Sequence, residues 1–175
     1  MNSRPCYAGI GSRQSPKDVC GLMTKIAGFL ESKGLVLRSG GASGADMAFE
    51  SGVKDPSNRE IYLPWKGFNM NYSNLYGVDN AALEMAAKFH PAWDECSTGA
   101  RELHARNCYQ VLGRDLATPS RFIVCWTKGG KITGGTAQAW RIANANNIPV
   151  FNLARDKDLR IILECLGTDQ VFVQM

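Results

Sequence analysis

The chain predicts an α/β domain in which a mostly parallel sheet is flanked by helices on both faces, a three-layer sandwich. Three observations carry this expectation. Short apolar runs alternate with stretches of helical periodicity along the whole length, several of those runs end in glycine-rich turns, and no repeat, low-complexity tract or long linker interrupts the series. Parallel neighbours need crossover connections, and the crossovers here read as helices, so both faces of the sheet should be covered.

The first strand is expected at residues 7–10, followed by Gly11-Ser12-Arg13 and a helix over 16–33. There Val19, Leu22, Met23, Ile26, Ala27 and Leu30 recur at helical spacing, Pro16 stands where helices tolerate proline, and Gly34 is the stop. Residues 35–37 form a second buried strand, broken by the glycine turn at 39–44, and residues 45–50 restart a helix. A third strand is expected at 61–63, before Pro64. Residues 65–78 are aromatic and asparagine-rich with weak periodicity, a long surface excursion of the kind often tied to function. Helices follow over 80–88 and 98–112, the latter capped by Ser97 or Thr98. Residues 122–126 suit a central strand. Glycine turns and a helix through 144 come next, then a strand at 150–153 and a helix at 156–166. The tail at 171–173 adds an edge strand.

At 175 residues, 45% hydrophobic and 21% charged, the chain fits one domain able to bury a continuous core. Its net charge of +4 arises from 20 basic and 16 acidic residues with no long run of like charge, which suits an anionic ligand and lacks the dense basic stripe of a dedicated duplex-DNA binder. The six cysteines show no CxxC pair, and no histidine cluster stands at zinc-ligand spacing. They read as reduced thiols of a cytoplasmic protein, with no metal and no cofactor expected. The opening MNSRPCYAGIG lacks an export-signal pattern, and no apolar run approaches the ~18 residues that span a bilayer, so no membrane partner is expected.

The chemistry concentrates in three turns: GIGSR at 9–13, SGGASGAD at 39–46 and GGKITGGT at 129–136. In an open α/β sheet such turns fall on the carboxyl edge of the strands, where ligands bind at the switch in strand order. Glycine lets backbone amides approach phosphate oxygens, and each following helix adds unpaired N–H groups and the positive end of its dipole. A lone glycine turn is more often plain connection; three with Ser or Thr beside the glycines favour an anion. The expected ligand-binding residues are Gly11, Ser12, Arg13, Ser39, Gly40, Gly41, Ser43, Gly44, Asp46, Gly134, Gly135 and Thr136. Neither a Walker P-loop nor a clean GxGxxG with a ribose-binding acid is present, which argues against an ordinary NTPase or NAD dehydrogenase.

These loops, with Arg106-Asn107 between the second and third, resemble the SLOG superfamily of Rossmann-like nucleotide binders. That group includes the lonely-guy phosphoribohydrolases, the YpsA-type proteins and DNA-processing protein A. The matching residues are 9–13, 38–46, 105–107 and 134–136, and the resemblance extends over residues 7–153. It implies a Rossmann-like fold and a stand-alone form of the kind found in bacteria and their phages. Lonely-guy enzymes carry a glutamate three residues after the threonine of their PGGxGT motif. Here that position is Ala139, and Lys128 precedes the glycines in place of a proline. A carboxylate stabilises the oxocarbenium-like state of glycosidic cleavage, so its loss should remove much of the rate.

Asp46 is the best-placed substitute acid, with Glu50 and Glu102 as further candidates; Asp46 reads equally well as a carboxylate stabilised by its helix dipole. Arg106 would grip a phosphate through its bidentate fork, while Asn107 either bonds a ribose or base or holds the loops together. His104 reads as structural or exposed. Trp65 and Trp126 stand where a base would stack, whereas Trp140 reads as core. The leading functional reading is a sensor or sequestering protein for a phosphorylated nucleotide or nucleotide-derived small molecule. Alternatives are a nucleoside-phosphate N-glycoside hydrolase and a single-stranded DNA-binding module, with further copies of the chain as an expected partner.

Overall fold

The computed structural model describes residues 4–168. Eleven main elements alternate: β1 (Cys6–Gly11), α1 (Lys17–Ser32), β2 (Val36–Ser39), α2 (Ala45–Gly52), β3 (Arg59–Ile61), α3 (Asn80–Phe89), α4 (Thr98–Leu112), β4 (Ile123–Trp126), α5 (Gly135–Ala145), β5 (Val150–Asn152) and α6 (Asp156–Thr168). The five strands form one sheet in the order β3-β2-β1-β4-β5, parallel at every junction. This is a Rossmann-like α/β layout.

Strand side chains alternate between two separate cores, which is why the strands read as continuous apolar runs. Tyr7, Leu37 and Val124 face one cluster with α1, α2 and α6, built around Met23, Ile26, Phe49 and Ile162. Ala8, Ile10, Ile123 and Cys125 face the other with α3, α4 and α5, where the small Ala82, Ala86, Ala105 and Ala139 let the helices approach closely. Capping chemistry sets two helix starts. The Asp79 carboxylate accepts from the Ala82 amide at 2.9 Å, and the Ser97 hydroxyl accepts from the Ala100 amide at 3.3 Å, so Ser97 rather than Thr98 is the cap of α4.

The third strand lies two residues earlier than its apolar run suggests. Beyond Ile61 the backbone turns toward the excursion, and Leu63 pairs with Tyr76, its amide donating to Leu75 O at 2.8 Å and its carbonyl accepting from Gly77 at 3.0 Å. The second strand likewise starts one residue late and runs to Ser39. A half-buried network pins β2 to β3: the Arg38 guanidinium meets Glu60 at 2.8 Å and Thr118 O at 2.6 Å, and Tyr62 donates to Glu60 at 2.7 Å. All six cysteines are free, and Trp140 is core, 6% exposed. Among the described residues no helix is long and apolar enough to cross a membrane. The edge strand expected at 171–173 lies outside the described residues.

Candidate functional site

Strand order reverses at β1. From there the chain winds outward through β2 and β3, then crosses back to β4 and β5, so the connections after β1 and β4 diverge and leave a crevice between them. Gly11 pairs with Trp126 at its base, and a Cβ there would stand 2.8 Å from Trp126 O and 2.9 Å from the Ala45 methyl, so the close approach of β1, β4 and α2 requires glycine. Above it opens a cleft of about 380 Å³, within the size range of small-molecule sites. The first loop supplies Gly11, Ser12 and Arg13, the second Ala42 and Asp46, and the third Thr133, Gly134, Gly135 and Thr136; Ile10, Thr127, Lys128, Ala139 and one face of α4 complete the lining.

The third loop borders the cleft with exposed backbone. Gly134 caps α5 at φ 69°, and a Cβ on Gly134 or Gly135 would meet nothing within 4 Å, so open space lies beside the first-turn amides. The Ala137 amide donates to Gly134 O at 3.1 Å, whereas those of Gly135 and Thr136 are first-turn amides with no acceptor within the helix. Ala139, one turn on, lines the same wall with a methyl group.

The first loop is partly consumed by the fold. The Ser12 amide donates to Trp126 O at 3.1 Å, its carbonyl accepts from Ala45 at 3.2 Å, and its hydroxyl accepts from the Gln14 amide at 3.0 Å. Arg13 remains exposed at the rim.

The second loop departs most from expectation. Ser39 is fully buried and donates to Gly9 O at 2.6 Å, bonding β2 to β1. Gly40 lies beneath the Arg106 guanidinium and the Gln110 amide, which occupy the space a Cβ would need. Gly41 packs against Leu63, and its carbonyl accepts from Asn69 at 2.9 Å. Gly44, at φ 78°, abuts the first loop, where a Cβ would stand 2.5 Å from Arg13 O and 2.6 Å from Ser12 O. Ser39, Gly40, Gly41, Ser43 and Gly44 are not among the residues that line the cleft, and Gly40, Gly41 and Gly44 make room for the protein's own atoms.

What this loop delivers is Asp46, in the first turn of α2 and 4% exposed. Burial pushes its carboxyl up to about 6, against the opposing pull of the Arg106 charge and the Ala42 and Gly40 amides. Arg106 is equally buried, and desolvation lowers its proton affinity. Its guanidinium donates to Gly40 O, to Tyr62 O at 3.3 Å and to Asn107 Oδ1 at 3.2 Å. Asn107 in turn donates to Gly135 O and to Gln138 Oε1, both at 3.3 Å, tying α4 to the third loop.

Beside Arg106 lies a residue that the sequence reading passed over. Gln110 is 2% exposed and its Nε2 has no hydrogen-bond partner, although its side chain lines the cleft. An unmet buried donor costs about 1–3 kcal/mol, which makes it a ready donor to an acceptor atom in the cleft. Helical spacing was the available signal, since Leu103, Arg106, Asn107 and Gln110 share one face of α4. Lys128, read only as the absence of a proline, adds a cation to the rim.

Other expected residues fall elsewhere. Glu50 accepts from Asn71 at 3.0 Å and pairs with Arg59 at 3.8 Å on a separate surface groove. Glu102 does not line the cleft. Trp126 shares the Val124 face of β4 and packs into the opposite core, because strand alternation turns it away from α4 and α5. Trp65 sets its ring edge-on to Phe68 at 5.2 Å, also outside the cleft. His104, by contrast, lines it.

No family model and no curated protein matches the chain. Among solved structures it is similar to DNA processing protein A from Helicobacter pylori, a protein described by its single-stranded DNA binding mode. The TM-score is 0.55 at 16% identity, over 97% of this chain and 75% of that one. Likeness at this identity concerns the fold, and it agrees with the Rossmann-like layout of the sheet.

Proposed function

We propose that the cleft binds a phosphorylated nucleotide or a nucleotide-derived small molecule, and that the protein acts as its sensor or sequestering agent. The observation that carries this reading is the third loop. Open room beside the Gly135 and Thr136 amides at the start of α5 faces a wall holding Arg106, with Arg13 and Lys128 at the rim. Phosphate sits on the α5 amides, and the sugar or base reaches toward Asp46 and Gln110, where one carboxyl and one unmet amide donor read its polar edge.

Thermal unfolding against a panel of nucleoside mono-, di- and triphosphates and cyclic forms tests this. A ligand at 100 times its dissociation constant adds about 2.7 kcal/mol of stability. A panel in which no compound raises the transition refutes the reading. Recovering the responsive ligand intact after long incubation supports binding alone. Release of a base or sugar phosphate would make the site a hydrolase, with Asp46 as its acid in place of the missing glutamate.

One observation favours a second reading, a single-stranded DNA-binding module. The excursion after β3 exposes Trp65, Met70, Tyr72 and Tyr76, with Tyr72 92% exposed and the Lys66 ammonium 5.9 Å from the Tyr76 ring. Exposed aromatics beside cations are stacking platforms for unpaired bases, and the similar solved structure is of a protein that binds single-stranded DNA. Retention of oligothymidylate at low salt, lost steeply as salt rises and weakened about tenfold or more by Tyr72→Ala, supports this reading; no retention at low salt refutes it.

A further inference from the structure

The connection between α3 and α4 brings together three side chains that no local spacing pattern joins. His90 closes the end of α3, Cys96 immediately precedes the Ser97 cap of α4, and His104 lies within α4. The Cys96 sulfur stands 3.8 Å from each ring nitrogen of His90, and the two imidazole centroids are 4.3 Å apart. One donor atom from each of the three residues lies within 4.8 Å of the others, and all three are half-buried. Bonds of about 2.3 Å to sulfur and about 2.0 Å to nitrogen, meeting at a tetrahedral angle, separate the two donors by about 3.5 Å. The sulfur–nitrogen spacing is thus within a few tenths of an ångström of what a cation needs.

Hydrogen bonding sorts the ring nitrogens. Gln138 Nε2 donates to Ala86 O at 3.3 Å, so Gln138 Oε1 is the acceptor end. That oxygen lies 3.0 Å from His104 Nδ1, which must therefore carry the proton and leave the lone pair on Nε2. A polar partner fixing the tautomer from the far nitrogen is the arrangement that orients metal-ligating histidines. His90 Nδ1 accepts from the Ala92 amide at 3.2 Å, a bond that a cation on that nitrogen would displace.

We propose that His90, Cys96 and His104 bind one first-row transition cation of the zinc type through two nitrogens and one sulfur. A fourth position is left for water or another oxygen donor. Mixed imidazole and thiolate ligation selects such cations over magnesium or calcium. On binding, the Cys96 thiol proton passes to solvent and the sulfur coordinates as thiolate, so a divalent ion changes the site from neutral to a net charge of +1. The ion clamps the α3–α4 connection onto α4, and because His104 also lines the cleft, it places positive charge beside it.

The test uses the full chain, stripped with chelator under anaerobic conditions and titrated with Co(II). A thiolate-to-cobalt charge-transfer band and tetrahedral visible bands should saturate at one ion per chain and vanish when Zn(II) is added. Cys96→Ser should abolish the charge-transfer band, whereas Cys20→Ser with Cys165→Ser should leave it intact. Gln138→Ala, which keeps all three ligands, should weaken binding about 10–100-fold, with circular dichroism confirming the fold of each variant. X-ray absorption of the Zn(II)-loaded unaltered chain gives a readout that needs no variant. One sulfur and two imidazoles in the coordination shell support the site. No charge-transfer band in the unaltered chain, a band that persists in Cys96→Ser, or a shell without sulfur overturns it.

Discussion

Replacing Asp46 with asparagine should stabilise the protein at neutral pH, and the amount follows from the burial of that carboxyl. The side chain is 4% exposed, and its proton affinity rises from an ordinary 3.8 to about 6 in the folded chain. Since the folded state holds this proton more tightly than the unfolded chain does, the contribution is fully favourable below pH 3.8 and is lost as pH rises through 6. The gap corresponds to about 3 kcal/mol by linkage. Asparagine keeps an oxygen for the Ala42 amide, 3.3 Å away, but carries no charge to desolvate. Urea and thermal unfolding of both proteins between pH 4 and 8 should show Asp46→Asn ahead by about 3 kcal/mol above pH 7, or about 6–12 °C in Tm. The advantage should shrink below pH 6 and vanish near pH 4. A difference that does not change with pH, or an unaltered chain that is the more stable at pH 8, would refute the claim that desolvation dominates at this carboxyl. The same variant should bind the cleft's ligand more weakly if the carboxylate reads it.

Gly135→Ala should leave stability unchanged or slightly raised, because a Cβ there meets nothing and alanine suits a helix better. It should weaken nucleotide binding, read by calorimetry, by filling the open room beside the α5 amides. Gly44→Val should instead destabilise the fold by about 3 kcal/mol or more, since its Cβ would press on the backbone of the first loop at positive φ; a stable folded variant in urea titration would contradict that geometry. Glu60→Gln removes the charge facing the buried Arg38 and should lower unfolding free energy by about 2–3 kcal/mol, measured the same way. Lys128→Ala combined with Arg13→Ala should reduce affinity for phosphorylated ligands about tenfold and flatten its salt dependence, while leaving stability near that of the unaltered chain.

The layered α/β architecture was legible because strand and helix periods are local properties. The alternation of Tyr7 and Ala8 between two cores, and the repeat through Met23, Ile26 and Leu30 on α1, are written in neighbouring residues. The misplacement of β3 marks where that locality ends. Leu63 belongs to the same apolar run as Ile61, yet it finds its partners at Leu75 and Gly77, late in an excursion whose path no local pattern states. The position of the cleft was also legible, since parallel strands turning through glycine into helices place those turns on one edge.

Which glycines face open space was not. Gly40, Gly44 and Gly134 look alike in the chain. Gly40 makes room for Arg106 and Gln110, Gly44 for the carbonyls of the first loop, and Gly134 stands beside open space. A missing Cβ records only that something comes close, and what comes close is set by residues 66 and 31 positions away for the first two. The gathering of His90, Cys96 and His104 has the same origin, because the bend after α3 and the start of α4 determine their separation. From the residues alone came the elements, their parallel arrangement and the edge on which loops would meet. Tertiary packing alone decided which backbone amides stay unpaired, how deeply Asp46 is buried and which side chains share a wall, because each depends on distances between segments remote in sequence.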